Sequence, residues 1–256
     1  MTMRTPALLL MLALVGCTGG PGGGGAGGMF GRSGERRGPP LRPIAQPTQV
    51  IAAEIALARA AREDGQWAAL ADRAAPGAQI AWNSGTADAA GWLAGQPNPA
   101  TPDRWEAREA WSSCDGSAVV IAGIGHDAAG NWSRYTRVWE RDGRDLRWGV
   151  TVWQPDGDLT RERAIQAQQS AADAAEDAIV VDALNMVRAR VATPCTQQRG
   201  PARRSDDDAP AQSGLSRDGT LRWTPVPGAA TGFTAWWQTA EGWEQVHAQA
   251  VPEGGA

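Results

Sequence analysis

Between residues 105 and 154 apolar and polar side chains alternate with a period of two, in four runs at 105–113, 117–125, 131–141 and 146–154. That period belongs to extended chain, whose successive side chains point to opposite faces. Asp115-Gly116 and Asp142-Gly143 fall between runs. Asp-Gly suits a tight hairpin because glycine takes positive φ without steric cost. Four strands joined in this way form an antiparallel meander. Tyr135, Arg137 and Trp139 share one face of its third strand, and Thr136, Val138 and Glu140 share the other.

Helical spacing precedes this block. Ile51, Ile55, Ala58 and Arg62 form a stripe that Thr48 can cap and Asp64-Gly65 ends. Trp67, Leu70, Ala71 and Ala74 mark a second short helix stopping at Pro76-Gly77, followed by a brief strand at 79–82, a helical piece at 89–93 and a Pro-rich loop at 96–102. After the meander, 160–178 reads as a polar helix, and Val180, Leu184, Val187 and Val191 form an apolar stripe at helical spacing. Residues 199–213 are a linker by composition. Their Asp206-Asp207-Asp208 lacks the alternating oxygen ligands and Gly turn of a calcium loop. Residues 215–226 and 233–251 supply three more strand candidates, with a turn at Glu241-Gly242. Tyr135-Thr136-Arg137-Val138-Trp139 is echoed by Phe233-Thr234-Ala235-Trp236-Trp237. The C-terminal hairpin is therefore expected to extend the same sheet or pack beside it.

The amino terminus carries one Arg, an apolar run and then Leu14-Val15-Gly16-Cys17. This resembles the signal peptide and lipobox of bacterial lipoproteins. The resemblance implies cleavage before Cys17, lipidation of its sulfur, and anchoring in the cell envelope; Thr18 in place of Asp resembles the pattern sorted to the outer membrane, facing the periplasm. Several acyl chains anchor firmly where one binds reversibly. The Gly/Pro/Arg segment that follows has little to bury and reads as a tether. The expected organisation is a signal peptide at 1–16, lipidated Cys and tether at 17–47, an α+β domain at 48–154, a helical segment at 155–198, a linker at 199–214 and a β extension at 215–256. With Cys17 removed, Cys114 and Cys195 are left. Outside the cytoplasm they can oxidise to a disulfide; the alternative is two buried free thiols.

The 24 basic residues, all of them Arg, face 28 acidic ones, for a net charge of −4. That balance argues against a nucleic-acid partner, which needs excess positive charge to neutralise phosphates. Two His and the remaining Cys leave little for a metal site, and no nucleophile-elbow, Cys-x-x-Cys, His-Glu-x-x-His or phosphate-loop pattern occurs. Neither metal nor cofactor is expected.

Helix, short helix, strand, helix and long meander is an order similar to that of the nuclear-transport-factor-2-like fold, in its SnoaL-like branch. The residues that carry the likeness are 51–65 with Trp67, Gly91-Trp92-Leu93, Cys114-Asp115-Gly116-Ser117, and 135–139 followed by 146–153. The resemblance implies α+β architecture: N-terminal helices packed on a curved, cone-like antiparallel sheet, extended here by the C-terminal β-hairpin. It also implies that chemistry, where there is any, lies inside the cone. His126-Asp127 is expected at a solvated hairpin tip, where a base lacks shielding, so no catalytic residue is assigned. Tyr135, Arg137 and Trp139 are the candidate binding residues, with Arg137 suited to an anion. His247 is expected to be exposed. The leading expectation is a non-catalytic envelope lipoprotein that binds a small molecule or envelope protein. The alternatives are a SnoaL-like acid–base enzyme acting on a small apolar substrate, and a glycan-binding module using exposed Trp.

Overall fold

The computed structural model describes residues 45–82, 85–175, 186–192, 195, 214–224, 232–239 and 241–250. Cys17, the signal-like segment and nearly all of the tether lie outside these residues, as do Val180, Leu184 and Asp206-Asp207-Asp208.

Helix α1 (Pro47–Glu63) begins with Pro in its first turn, so Gln46 occupies the cap position and Thr48 lies within the helix. Its buried face is Val50, Glu54, Leu57, Ala58 and Ala61, whereas Ile55 is 61% exposed. The stripe is thus rotated from the one read through Ile51 and Ile55. The cause is Glu54, whose carboxylate is held inside by partners on the sheet. After α1 come α2 (Gln66–Arg73), β1 (Ala74–Trp82), β2 (Gly85–Asp88) and α3 (Ala89–Ala94). Asp88 caps α3 by accepting the Gly91 N–H at 2.9 Å.

The meander is β3 (Arg104–Ser112), β4 (Ala118–His126), β5 (Trp132–Asp142) and β6 (Asp145–Pro155). Every end lies one residue from the bound read off the alternation. Helix α4 (Gly157–Ala175) follows, then β7 (Arg188–Val191), a strand where the spacing of Val187 and Val191 pointed to helix. The chain finishes with β8 (Gly214–Leu215), β9 (Leu221–Thr224), β10 (Gly232–Gln238) and β11 (Trp243–Ala250).

The large sheet runs β2-β1-β6-β5-β4-β3-β7. It is mixed rather than wholly antiparallel, because β1 lies parallel to β6 and β7 parallel to β3. Both parallel pairs join strands distant in sequence, where a long connection permits either direction. Register shifts at Ala107/Glu109 and Val138/Trp139 bend the meander. The C-terminal hairpin forms, but it pairs with β9 and β8 in a separate four-stranded sheet, β11-β10-β9-β8.

Each face of the large sheet has its own core. Val50, Leu57, Leu70, Ile121, Tyr135, Trp139 and Trp148 pack together on the helix side. Val120, Val138, Val150 and Val152 on the other side meet Leu221, Trp223, Phe233 and Ala235 of the small sheet. The alternation of β5 explains this: its odd positions face the helices and its even positions face the second sheet. The result is a mixed α+β arrangement of three layers. The echoing pentapeptides of β5 and β10 occupy different sheets.

His247 lies between the sheets, not in solvent. Its ring stacks on Trp111 at 4.7 Å, and its Nε2 is 2.8 Å from Thr136 Oγ1. Thr136 gives its own proton to Gln249 Oε1 at 2.6 Å, so the imidazole donates through Nε2. Burial lowers the His247 pKa to about 4. Between that value and the ordinary 6.5 the unfolded chain binds the proton and the folded one does not, so this group's contribution is complete above pH 6.5 and is lost on acidification toward 4. The loss amounts to roughly 3 kcal/mol at full effect. Urea unfolding at pH 7 and pH 4.5 is expected to show a larger acid loss for the native chain than for His247→Gln. Equal losses would remove His247 as the cause.

Candidate functional site

Above the helix-side core the layers part, leaving a cavity of about 800 Å³. Its walls come from the start of α2 (Gln66, Trp67, Leu70), β1 (Ile80, Trp82), α3 (Trp92), β3 (Trp105), and the ends of β4, β5 and β6 that meet there. Six tryptophans line it: Trp67, Trp82, Trp92, Trp105, Trp132 and Trp153. Trp92 stands edge-on to Trp67 at 5.1 Å and tilts against Trp82 at 5.0 Å, and Trp105 meets Trp153 edge-on at 6.1 Å. Gly125 makes the last contact possible, since a Cβ there would come within 2.9 Å of Trp105 Cβ and 3.0 Å of the Trp153 ring. Gly123 does the same for Tyr135, which lies flat against Trp153 at 5.0 Å.

Beneath this wall is a buried polar layer that contains the three residues singled out from the sequence. Tyr135, Arg137 and Trp139 are all brought together on the helix side, fully buried, and none of them is among the residues lining the cavity. Glu54 organises the layer. Its Oε1 accepts from Arg137 Nη1 at 2.5 Å and from Trp105 Nε1 at 2.9 Å, and its Oε2 accepts from Trp139 Nε1 at 2.7 Å. Thr151 links layer and cavity: it lines the cavity, and its hydroxyl accepts the Arg137 Nε–H at 2.9 Å. Arg137 Nη2 and the Tyr135 hydroxyl have no hydrogen-bond partner of good geometry among the described residues. Burial, with the nearby Glu54 charge adding to it, raises the Tyr135 phenol well above its usual range, so it stays protonated. Arg137 serves Glu54, and its role as an anion receptor is taken inside the protein.

The cavity rim is acidic. Asp103 accepts from Gln66 Nε2 at 2.8 Å and returns its own N–H to Gln66 Oε1 at 2.7 Å. Burial raises the Asp103 pKa; the Gln66 bond and His126 pull it down, and Asp127 pushes it up. Asp127 is held low by its bonds from Asn131, whose Nδ2 lies 2.7 Å from Oδ2. Asp156 caps α4 through the Leu159 N–H at 2.8 Å and meets Arg134 Nε at 2.6 Å, and these lower its pKa. His126 ends β4 on the cavity wall, its ring 4.7 Å from Trp132 and its Nδ1 3.0 Å from Asp127 O. It is half-buried, where the sequence pointed to a solvated tip.

Elsewhere, Cys114 and Cys195 are joined, with their Cα atoms 5.2 Å apart. Among the described residues no three His, Cys, Asp or Glu side chains converge as a metal site. On the small sheet's outer face Arg222 lies 4.8 Å over Trp236 and 4.7 Å over Trp243, so one face of each ring is already taken. The residues that sequence reasoning missed are Gln66, Asp103 and the trio Trp67, Trp82 and Trp92. The signal of the trio was one tryptophan on each of α2, β1 and α3, all outside the meander.

Among solved structures the chain is similar to an NTF2-like protein from Cytophaga hutchinsonii, with 14% identity, coverage of 44% of this chain and 100% of that chain, and a TM-score of 0.34. No family model matches the sequence, and no curated protein matches it.

Proposed function

We propose that the protein is an envelope lipoprotein whose nuclear-transport-factor-2-like domain binds a small apolar molecule in the tryptophan-lined cavity. The observation that carries the reading is the cavity itself. Six large aromatic side chains leave about 800 Å³ open beside the helix-side core, and apolar walls with a few polar groups are the usual character of a ligand site. The likeness of Leu14-Val15-Gly16-Cys17 to a lipobox supports the envelope location, outer-membrane and periplasm-facing. The test uses the neutral probe N-phenyl-1-naphthylamine, read by energy transfer from tryptophan. Saturable one-to-one binding is expected, weakened at least tenfold in Trp92→Ala with unchanged far-ultraviolet circular dichroism. Absence of saturable binding by the folded protein would remove the reading.

A second reading, an acid–base enzyme of the SnoaL-like type, is favoured by Asp103. Its partly buried carboxyl is held above the usual range beside His126, a placement that suits proton transfer. Turnover separates the two readings: a product that appears with native protein and not with Asp103→Asn, while binding persists, marks chemistry rather than binding alone.

A further inference from the structure

The charges around the cavity are not balanced. Three carboxylates line it, Asp103, Asp127 and Asp156, against a single guanidinium, Arg161. Asp156 has Arg134 as its ion partner, and Arg161 is itself paired with Asp158. Among the described residues no Arg forms an ion pair with Asp103 or Asp127; amides and backbone N–H groups hold them instead. A partly buried carboxylate set in an aromatic wall, held by the Gln66 amide beside His126 and paired with no Arg among the described residues, favours a cation arriving from outside. The tryptophan walls favour one too, because the face of an indole ring carries negative charge density and attracts cations. This protein already uses that attraction twice at the same wall: Arg163 lies 5.1 Å over Trp132 and Arg137 lies 5.6 Å over Trp105. No such Arg lies over Trp67, Trp82 or Trp92 among the described residues, and those rings stand near the start of α2, where Gln66 grips Asp103.

We infer that the cavity selects an organic cation, an amine or quaternary ammonium group carried on an apolar body, with Asp103 as its counter-ion and the tryptophan faces as its cage. The inference rests on the cavity-binding reading above and adds the ligand's charge. An anionic ligand would meet two carboxylates that no Arg pairs with among the described residues, and a neutral one would leave Asp103 with only the Gln66 bond and the neighbouring His126.

The test compares isosteres on the full chain by tryptophan quenching: phenyltrimethylammonium against tert-butylbenzene, which replaces the charged nitrogen by carbon. Hydrophobic transfer alone favours tert-butylbenzene. The expected result is at least tenfold tighter binding of the cation. Asp103→Asn, which keeps an oxygen for Gln66, should cut that preference at least tenfold and leave tert-butylbenzene unchanged, while Asp103→Glu should keep the preference. Equal or tighter binding of tert-butylbenzene overturns the cation inference and leaves the cavity reading standing. Binding of neither probe, nor of the naphthylamine, by folded protein overturns both.

Discussion

Replacing Glu54 by Ala lowers the unfolding free energy by about 3–5 kcal/mol, the range for breaking one side of a buried ion pair. Three donors lose their acceptor at once: the Arg137 guanidinium and the indoles of Trp105 and Trp139. The side chains of Arg137 and Glu54 are 0% and 1% exposed, so water cannot take the vacated place without opening the core. An unpaired buried cation is the costliest remainder, and the second partner tests that. Glu54→Leu combined with Arg137→Met removes both charges and leaves only neutral groups without their partners, the two indole donors and the Thr151 hydroxyl. The double variant is expected to be more stable than Glu54→Ala alone, because apolar replacement of a whole buried pair is often close to neutral. Urea unfolding followed by far-ultraviolet circular dichroism reads all three proteins. A loss below about 1 kcal/mol for Glu54→Ala would mean that the layer under the cavity tolerates a free charge.

The same glutamate shows where reading the sequence stops. The meander was legible to within a residue because period-two alternation and Asp-Gly turns are local signals, fixed by side-chain direction and glycine's φ. Helix α1 was legible as a helix, yet its buried face was misread. A Glu inside an Ile- and Ala-rich stripe looks like a solvent position until Arg137, 83 residues away, supplies its partner. The strand β7 was hidden for a related reason. Valines at 187 and 191 fit helical spacing, and only pairing with β3 settles Arg188–Val191 as strand. Tyr135, Arg137 and Trp139 were correctly grouped on one face, since alternation fixes that much. Whether that face borders open space depends on how far α2 and α3 stand off the sheet, which no local pattern encodes. Asp103 was invisible for the same cause: it sits just before β3 in a loop, and its burial arises from Gln66 and the surrounding walls.

Reducing the Cys114–Cys195 bridge lowers stability by about 4 kcal/mol when loop closure in the unfolded chain sets the effect, given the 81-residue separation. The bridge also has a local task. Cys114 lies in the β3–β4 turn, where several segments meet: its carbonyl accepts the Ala45 N–H at 3.2 Å, its N–H reaches Thr220 Oγ1 at 2.9 Å, and the Asp115 N–H reaches Asp218 Oδ2 at 2.8 Å. Those bonds fasten the β8–β9 turn to the large sheet without sulfur, and Arg217 N–H adds another to Ser117 Oγ at 2.9 Å. Cys195 instead secures the chain just beyond β7, an edge strand with one hydrogen-bonded neighbour. Reduction is therefore expected to act unevenly. Amide exchange should rise first at Arg188–Val191, while the small sheet keeps its protection until global unfolding. Cys114→Ala with Cys195→Ala should reproduce both effects without reductant. Uniform acceleration of exchange across β9 and β10 as well would show that the bridge, rather than the turn's hydrogen bonds, holds the two sheets together.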